Sequence, residues 1–188
     1  MERETLYINL FGGPSISKST TGAGVLNLLK LHDIDSEIVT EFAKDLVWED
    51  RINTLKDQRY IFGKQYHRIW RLNNKVDIVV TDSPLFLSVI YGKLNSSVPE
   101  SFYEDVLTAV DEFVNFNIIL TRTKKYNQNG RMQTEDEARE IDLMIRDSLD
   151  EYGHKYIIVP GDYNAPNKIV EIVLEKFGKK VEYVISRI

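Results

Sequence analysis

Gly12, Lys18 and Ser19 stand at the spacing of a loop that grips phosphate, in which a glycine and four intervening residues are followed by a second glycine, lysine and a hydroxyl residue. In such a loop backbone N–H groups cradle the phosphates of a nucleotide and the lysine reaches the outer ones. The hydroxyl after the lysine holds magnesium, and the start of the following helix adds a favourable dipole. The candidate cradle is Gly12, Gly13, Pro14, Ser15, Ile16, Ser17, Lys18, Ser19 and Thr20. One letter departs from the pattern, because position 17 is Ser where glycine is usual. A Cβ there obstructs either a glycine-type backbone conformation or the approach of phosphate, at about 1–3 kcal/mol where the geometry is strained. That corresponds to roughly 10- to 100-fold in nucleotide affinity. Serine keeps its N–H, so the expectation is a weakened cradle, set against the plainer reading of a turn that joins strand to helix.

Two carboxylates have the right chemistry to accompany it. Glu41 closes the segment IVTE and Asp82 closes VVTD. Either can accept a proton from an attacking hydroxyl, and Asp82 with Ser19 is the candidate magnesium pair. Each also has an ordinary explanation, Glu41 as an acid favoured by a helix dipole and Asp82 as part of an Asp-Ser-Pro turn. The segment TRTKKYNQNGR supplies Arg122, Lys124, Lys125 and Arg131, with Arg139 on the helix that follows. Arg122 and Arg131 are candidates to stabilise charge on a transferring phosphoryl group, against the alternative of a solvated charged loop. Gln58, Phe62 and Gln65 share one helical face, and with Trp48 they are the candidate substrate contacts. Packing is the competing role for such aromatic residues.

These residues need elements to hold them. The run LYINLF reads as a buried strand entering the glycine turn, with a helix from Ser19 to about Leu31 weakened by Gly22 and Gly24. A strand Glu37–Thr40 precedes a largely helical stretch from Phe42 to about Asn73, and Val76–Thr81 is a third strand. Helices follow at Leu85–Gly92 and Glu100–Asn115, then a strand at Asn117–Leu120, a charged helix at Thr134–Tyr152, a strand at Tyr156–Val159 and a helix at Ala165–Phe177. The tail VEYVI reads as an edge strand or an arm. Strands alternating with helices imply a three-layer α/β/α sandwich on a mainly parallel five-stranded sheet. Ligands of such sheets sit beyond the carboxyl ends of the strands, where the glycine loop, Glu41, Asp82 and Arg122 are expected to converge.

Composition removes several alternatives. The 188 residues, 43% of them apolar, suit a single domain 1–188 with a lid at about 122–134. There is no cysteine and only three scattered histidines, so disulfides and thiolate metal sites are excluded and a metal would be a hard cation on oxygen. A net charge of -5 opposes non-specific binding to nucleic acid. No run approaches the roughly 20 apolar residues of a membrane helix and the first residues lack a signal-peptide core, so the expected location is the cytoplasm, with no membrane partner.

With these residues assembled, the chain resembles the P-loop nucleoside and nucleotide kinases, in the branch that includes ribosylnicotinamide kinase-like domains and small phage proteins labelled AAA-type ATPases. The stretches NLFGGPSISKSTTGAG, IVTEFAKDLVWE, DIVVTDSPL and RTKKYNQNGR fall in the expected order over nearly the full length. The resemblance implies ATP and Mg2+ as cofactors, Lys18 on the phosphates and Ser19 on magnesium. Glu41 matches the acid that serves as base in deoxynucleoside kinases, Asp82 the acid at the end of the third strand, and Arg122 and Arg131 the lid arginines. It implies a kinase acting on a nucleoside-like small molecule, or on modified DNA as in phage kinases of 5-hydroxymethyluracil, in the host cytoplasm if phage-encoded and with a homodimer as one open assembly. A phosphate-binding module without turnover is the alternative, and a motor ATPase is disfavoured by the lack of a separate sensor or arginine-finger signature.

Overall fold

A computed structural model of the chain describes residues 3–95, 98–126 and 134–185, with the backbone alone at 95 and 177–185. The strands are β1 (Leu6–Phe11), β2 (Ser36–Val39), β3 (Ile78–Thr81), β4 (Val114–Thr121) and β5 (Tyr156–Pro160), forming one parallel sheet in the order β2-β3-β1-β4-β5. β1 is the central strand and all six of its residues are buried, which is why its sequence is a nearly continuous apolar run, interrupted at Asn9, rather than an alternating one. Leu6 pairs with Ile78 on one side and with Val114 on the other.

Alternate residues feed two separate cores. Ile8, Leu10, Ile78, Val80, Ile118 and Leu120 face α1 (Lys18–Leu31) and α7 (Ala165–Ile185), meeting Val25, Leu29, Ile169 and Val173. Tyr7, Phe11, Val79 and Ile119 face the other layer, built from α3 (Gln58–Trp70), α4 (Leu87–Asn95), α5 (Glu100–Asp111) and α6 (Glu135–Glu151). The result is the expected α/β/α sandwich. Gly24 does not break α1, because its bare Cα admits the ring of Pro166, which a Cβ would meet at 2.6 Å. No helix among the described residues is long and apolar enough to cross a membrane.

Three expectations change. The helix expected from Phe42 to Asn73 is α2 (Phe42–Trp48), a 3-10 turn (Ile52–Lys56) and α3. Asp50 turns left-handed at φ 55°, and Asp57 starts α3 by accepting the N–H of Tyr60, so two aspartates that favour caps over helix interiors divide the segment. The fourth strand begins at Val114, inside the expected helix. Asn115 tolerates that place because Asn9 donates to its carbonyl at 2.7 Å while its own amide donates to Val110 and Phe113. The tail is neither strand nor arm, since α7 continues through it to Ile185.

Candidate active site

Parallel strands aligned by β1 bring their carboxyl ends to one edge of the sheet. β1 runs into the loop 12–17, β2 ends beside Glu41, β3 beside Asp82 and β4 beside Arg122, so residues far apart in the chain meet there.

The loop itself has a glycine-type path. Gly12 stands at φ 142°, and a Cβ on it would lie 2.6 Å from Ile16, whose side chain is buried in the core beneath. Ser15 and Ser17 both take left-handed conformations, at φ 66° and φ 73°. The backbone at position 17 therefore follows a path a glycine would take freely, with serine in its place. Its carbonyl accepts from Thr21 as the first turn of α1 forms. The first-turn amides of α1 have no intrahelical acceptors, and no acidic side chain stands in that turn to repel an anion.

Lys18 folds back across the loop and donates to the carbonyls of Gly12 and Gly13 at 2.6 and 3.1 Å. Burial lowers its pKa, against the opposing influence of Glu41, Asp82 and Asp142. The Ser19 hydroxyl donates to Asp82 Oδ2 at 2.5 Å. Asp82 is buried, and its other oxygen, Oδ1, has no hydrogen-bond partner among the described residues. A buried carboxylate oxygen without a donor is costly unless a cation or water completes it. A serine hydroxyl and one carboxylate are the hard-oxygen donors that suit magnesium, which keeps most of its waters and takes few protein ligands.

Glu41 precedes α2, yet its side chain makes no capping bond. Burial raises its pKa, Lys18 lowers it and Asp82 raises it further. The amide after it, that of Phe42, donates instead to Gln65 Oε1 at 3.0 Å, and Gln65 Nε2 donates to the carbonyl of Ser83 at 3.0 Å. Gln65 therefore braces the backbone next to Glu41 against the backbone next to Asp82.

Arg122 is largely enclosed by protein acceptors. Its Nε donates to Asp142 Oδ2 at 2.6 Å, Nη1 to the carbonyl of Pro14 at 2.8 Å and Nη2 to that of Ala138 at 3.1 Å, and Tyr126 lies beside it. Asp142 Oδ1 accepts the N–H of Gly13 at 2.6 Å, so that amide is bonded within the protein.

The remaining expected contacts scatter. Trp48 is 73% exposed. Gln58 is buried and donates to the carbonyl of Leu55, while Phe62 packs on Phe102 and Tyr66. Lys124 and Lys125 are exposed, Arg139 pairs with Glu135, and Arg131 lies outside the described residues together with 127–133 of the expected lid. Sequence reasoning missed Asp142, whose signal was an acid on the apolar stripe of Ala138, Ile141, Ile145 and Leu149. It also missed Tyr91 on α4, whose phenol pKa is raised by burial and by the charges of Glu41 and Asp142.

A family model described as an AAA domain matches residues 7–165. The fold is similar to that of NadR protein in two crystal structures. For the complex with NR the TM-score is 0.65 at 18% identity, covering 91% of this chain and 50% of that one. For the complex with NAD and AMP-PNP it is 0.66 at 19% identity, covering 93% of this chain and 50% of that one. The chain thus spans about half the length of those NadR chains. Thymidylate kinase from Candida albicans matches at a TM-score of 0.51 and 13% identity, covering 93% of this chain and 92% of its own. No curated protein sequence matches.

Proposed function

We propose, from the premise that this chain belongs to the AAA domain family, that it is a magnesium- and ATP-dependent kinase acting on a hydroxyl of a nucleoside, nucleotide or modified nucleobase. The observation that carries this reading is the Ser19–Asp82 contact beside the glycine-type loop, with Asp82 Oδ1 left without a donor. A linking turn has no need of a buried carboxylate aimed at the first turn of its helix. The neighbours support the same reading, one being a NadR protein in complex with NAD and AMP-PNP and another a thymidylate kinase.

In this proposal the first-turn amides of α1 and the helix dipole receive the phosphates. Lys18 exchanges the carbonyls of Gly12 and Gly13 for phosphate oxygens, which offer its ammonium a stronger, charge-assisted bond. Ser19 and Asp82 would hold the magnesium ion, and a bound ion neutralises charge on the outer phosphates. The acceptor hydroxyl attacks the terminal phosphorus, the bond from that phosphorus to the bridging oxygen breaks, and its electron pair leaves with ADP. The hydroxyl proton passes to Glu41, whose burial favours the protonated form and so favours that transfer. Arg122 adds positive potential next to the loop, and Arg131 is a second proposed lid cation. Trp48 is the exposed ring available to an acceptor, whereas Gln65 serves by holding Glu41 and Asp82 in register.

Calorimetric titration with ATP tests this directly. Wild-type protein should bind ATP more tightly with magnesium than without, Asp82→Asn should lose that difference, and Lys18→Ala should lose about 100-fold in affinity. Absence of ATP binding by the wild type refutes the reading. Labelled ATP offered with nucleosides, nucleotides and modified DNA then identifies the acceptor.

A further inference from the structure

We propose that Asp142 is a positioning residue that anchors the first arm of the phosphate loop, and that Arg122 acts through it by cancelling the charge the carboxylate would otherwise turn on a bound triphosphate. The role assigned to Arg122 rests on the phosphoryl-transfer reading above; the anchor does not.

A carboxylate is an unexpected neighbour for an anion-binding loop, because it repels the ligand the loop is built to receive. Here Asp142 reaches the loop from α6 and takes the Gly13 N–H at 2.6 Å. The approach is close enough that position 13 must be glycine, since a Cβ there would lie 2.5 Å from the Ala138 carbonyl and 2.9 Å from Asp142 Oδ1. Arg122 meets the other carboxylate oxygen at 2.6 Å, with side chains only 11% and 24% exposed for Arg122 and Asp142. The same guanidinium donates to Pro14 in the loop and to Ala138 in α6. All three nitrogens of the fork are thus engaged by the two elements the pair joins, an arrangement that a lysine with its single nitrogen cannot reproduce. Arg122 directly follows β4 and opens the expected lid, and Asp142 lies on α6 after it, so the contact ties the two sides of that segment to the loop.

This arrangement predicts a change of sign that direct phosphate binding by Arg122 does not. Arg122→Gln leaves an unpaired carboxylate facing the nucleotide and should weaken magnesium-ATP binding about 30-fold. Asp142→Asn in the Arg122→Gln background removes that charge and should restore at least about tenfold of the loss. If the double variant binds no better than Arg122→Gln, Arg122 meets the phosphates by itself and the proposal falls.

Amide exchange of Gly13 supplies a readout that needs no nucleotide. Asp142→Ala should speed exchange at Gly13 by about tenfold or more while the β1 amides keep their protection, and Asp142→Asn, which retains an acceptor oxygen, should preserve most of it. Unchanged exchange in Asp142→Ala overturns the anchor. Should Arg122→Gln fail to fold, these two Asp142 variants still judge the anchor, and magnesium-ATP binding no tighter in Asp142→Asn than in wild type shows that Arg122 already cancels the carboxylate, whereas a gain of about tenfold or more overturns that role. Should wild-type protein bind no ATP, the kinase reading fails while Gly13 exchange still judges the anchor.

Discussion

Ser17 stands at φ 73° and ψ 19°, a left-handed conformation. It costs an L residue about 1–2 kcal/mol and glycine essentially nothing. The serine hydroxyl offers no compensation, because it makes no capping bond to α1. Replacing Ser17 with glycine releases the strain but also frees the unfolded chain, an offset of about 0.4–1 kcal/mol. The balance is a gain of about 0.5–1 kcal/mol. For 188 residues at an unfolding entropy of about 2.1 cal/mol/K each, Tm should rise by about 1–3 °C. Ser17→Ala keeps the Cβ and should stay within about 0.5 kcal/mol of wild type, whereas Ser17→Val, branched at Cβ, should lose about 1 kcal/mol or more. The strain lies in the backbone path at position 17 and not in a contact of the serine Cβ with phosphate, so it weighs on folding rather than on binding. ATP affinity of Ser17→Gly should therefore stay within about threefold of wild type, not improve by the roughly 10- to 100-fold that an obstructing Cβ implies. Scanning calorimetry and ATP titration of the three variants give the answer. A lower Tm for Ser17→Gly, or an alanine variant as stabilised as the glycine one, refutes this account of the loop.

Two other outcomes follow from the site. The folded-state pKa of Glu41 lies above its unfolded value, so its contribution to stability is present at low pH and is lost as pH rises through the folded pKa. Glu41→Gln should accordingly abolish turnover, raise Tm near neutral pH and give little gain near pH ~4; in the wild type the acid limb of kcat/KM should lie above the ordinary glutamate value of about 4.3. A limb at the ordinary value, or no gain at neutral pH, counts against the assignment. Gln65→Ala strands the Phe42 N–H and the Ser83 carbonyl, which should cost about 2–4 kcal/mol and lower kcat as Glu41 and Asp82 lose register. Equal loss of stability with unchanged kcat in the folded fraction would limit Gln65 to a structural role.

Amino-acid order alone determined the α/β class, the strand–loop–helix around Lys18 and the polar residues that close the parallel strands. The reason is local: a strand buried on both faces is a nearly unbroken apolar run, and the first charged or turn-forming residue after it, Glu41 or Asp82, marks the sheet edge where ligands bind. Helix ends were less legible. Asp50 and Asp57 interrupt a stretch whose periodicity is otherwise helical, and VEYVI suits an edge strand or an arm as well as the end of α7, which is what it forms. Only tertiary structure decided how the side chains are used. Gln65 looked like a base-binding amide and is a brace between positions 42 and 83; Asp142 looked like one charge among many on α6 and bonds Gly13 across 129 residues. Helical spacing says which side chains share a face, but what that face meets depends on crossovers that return the chain to the same sheet edge, and no local pattern records them.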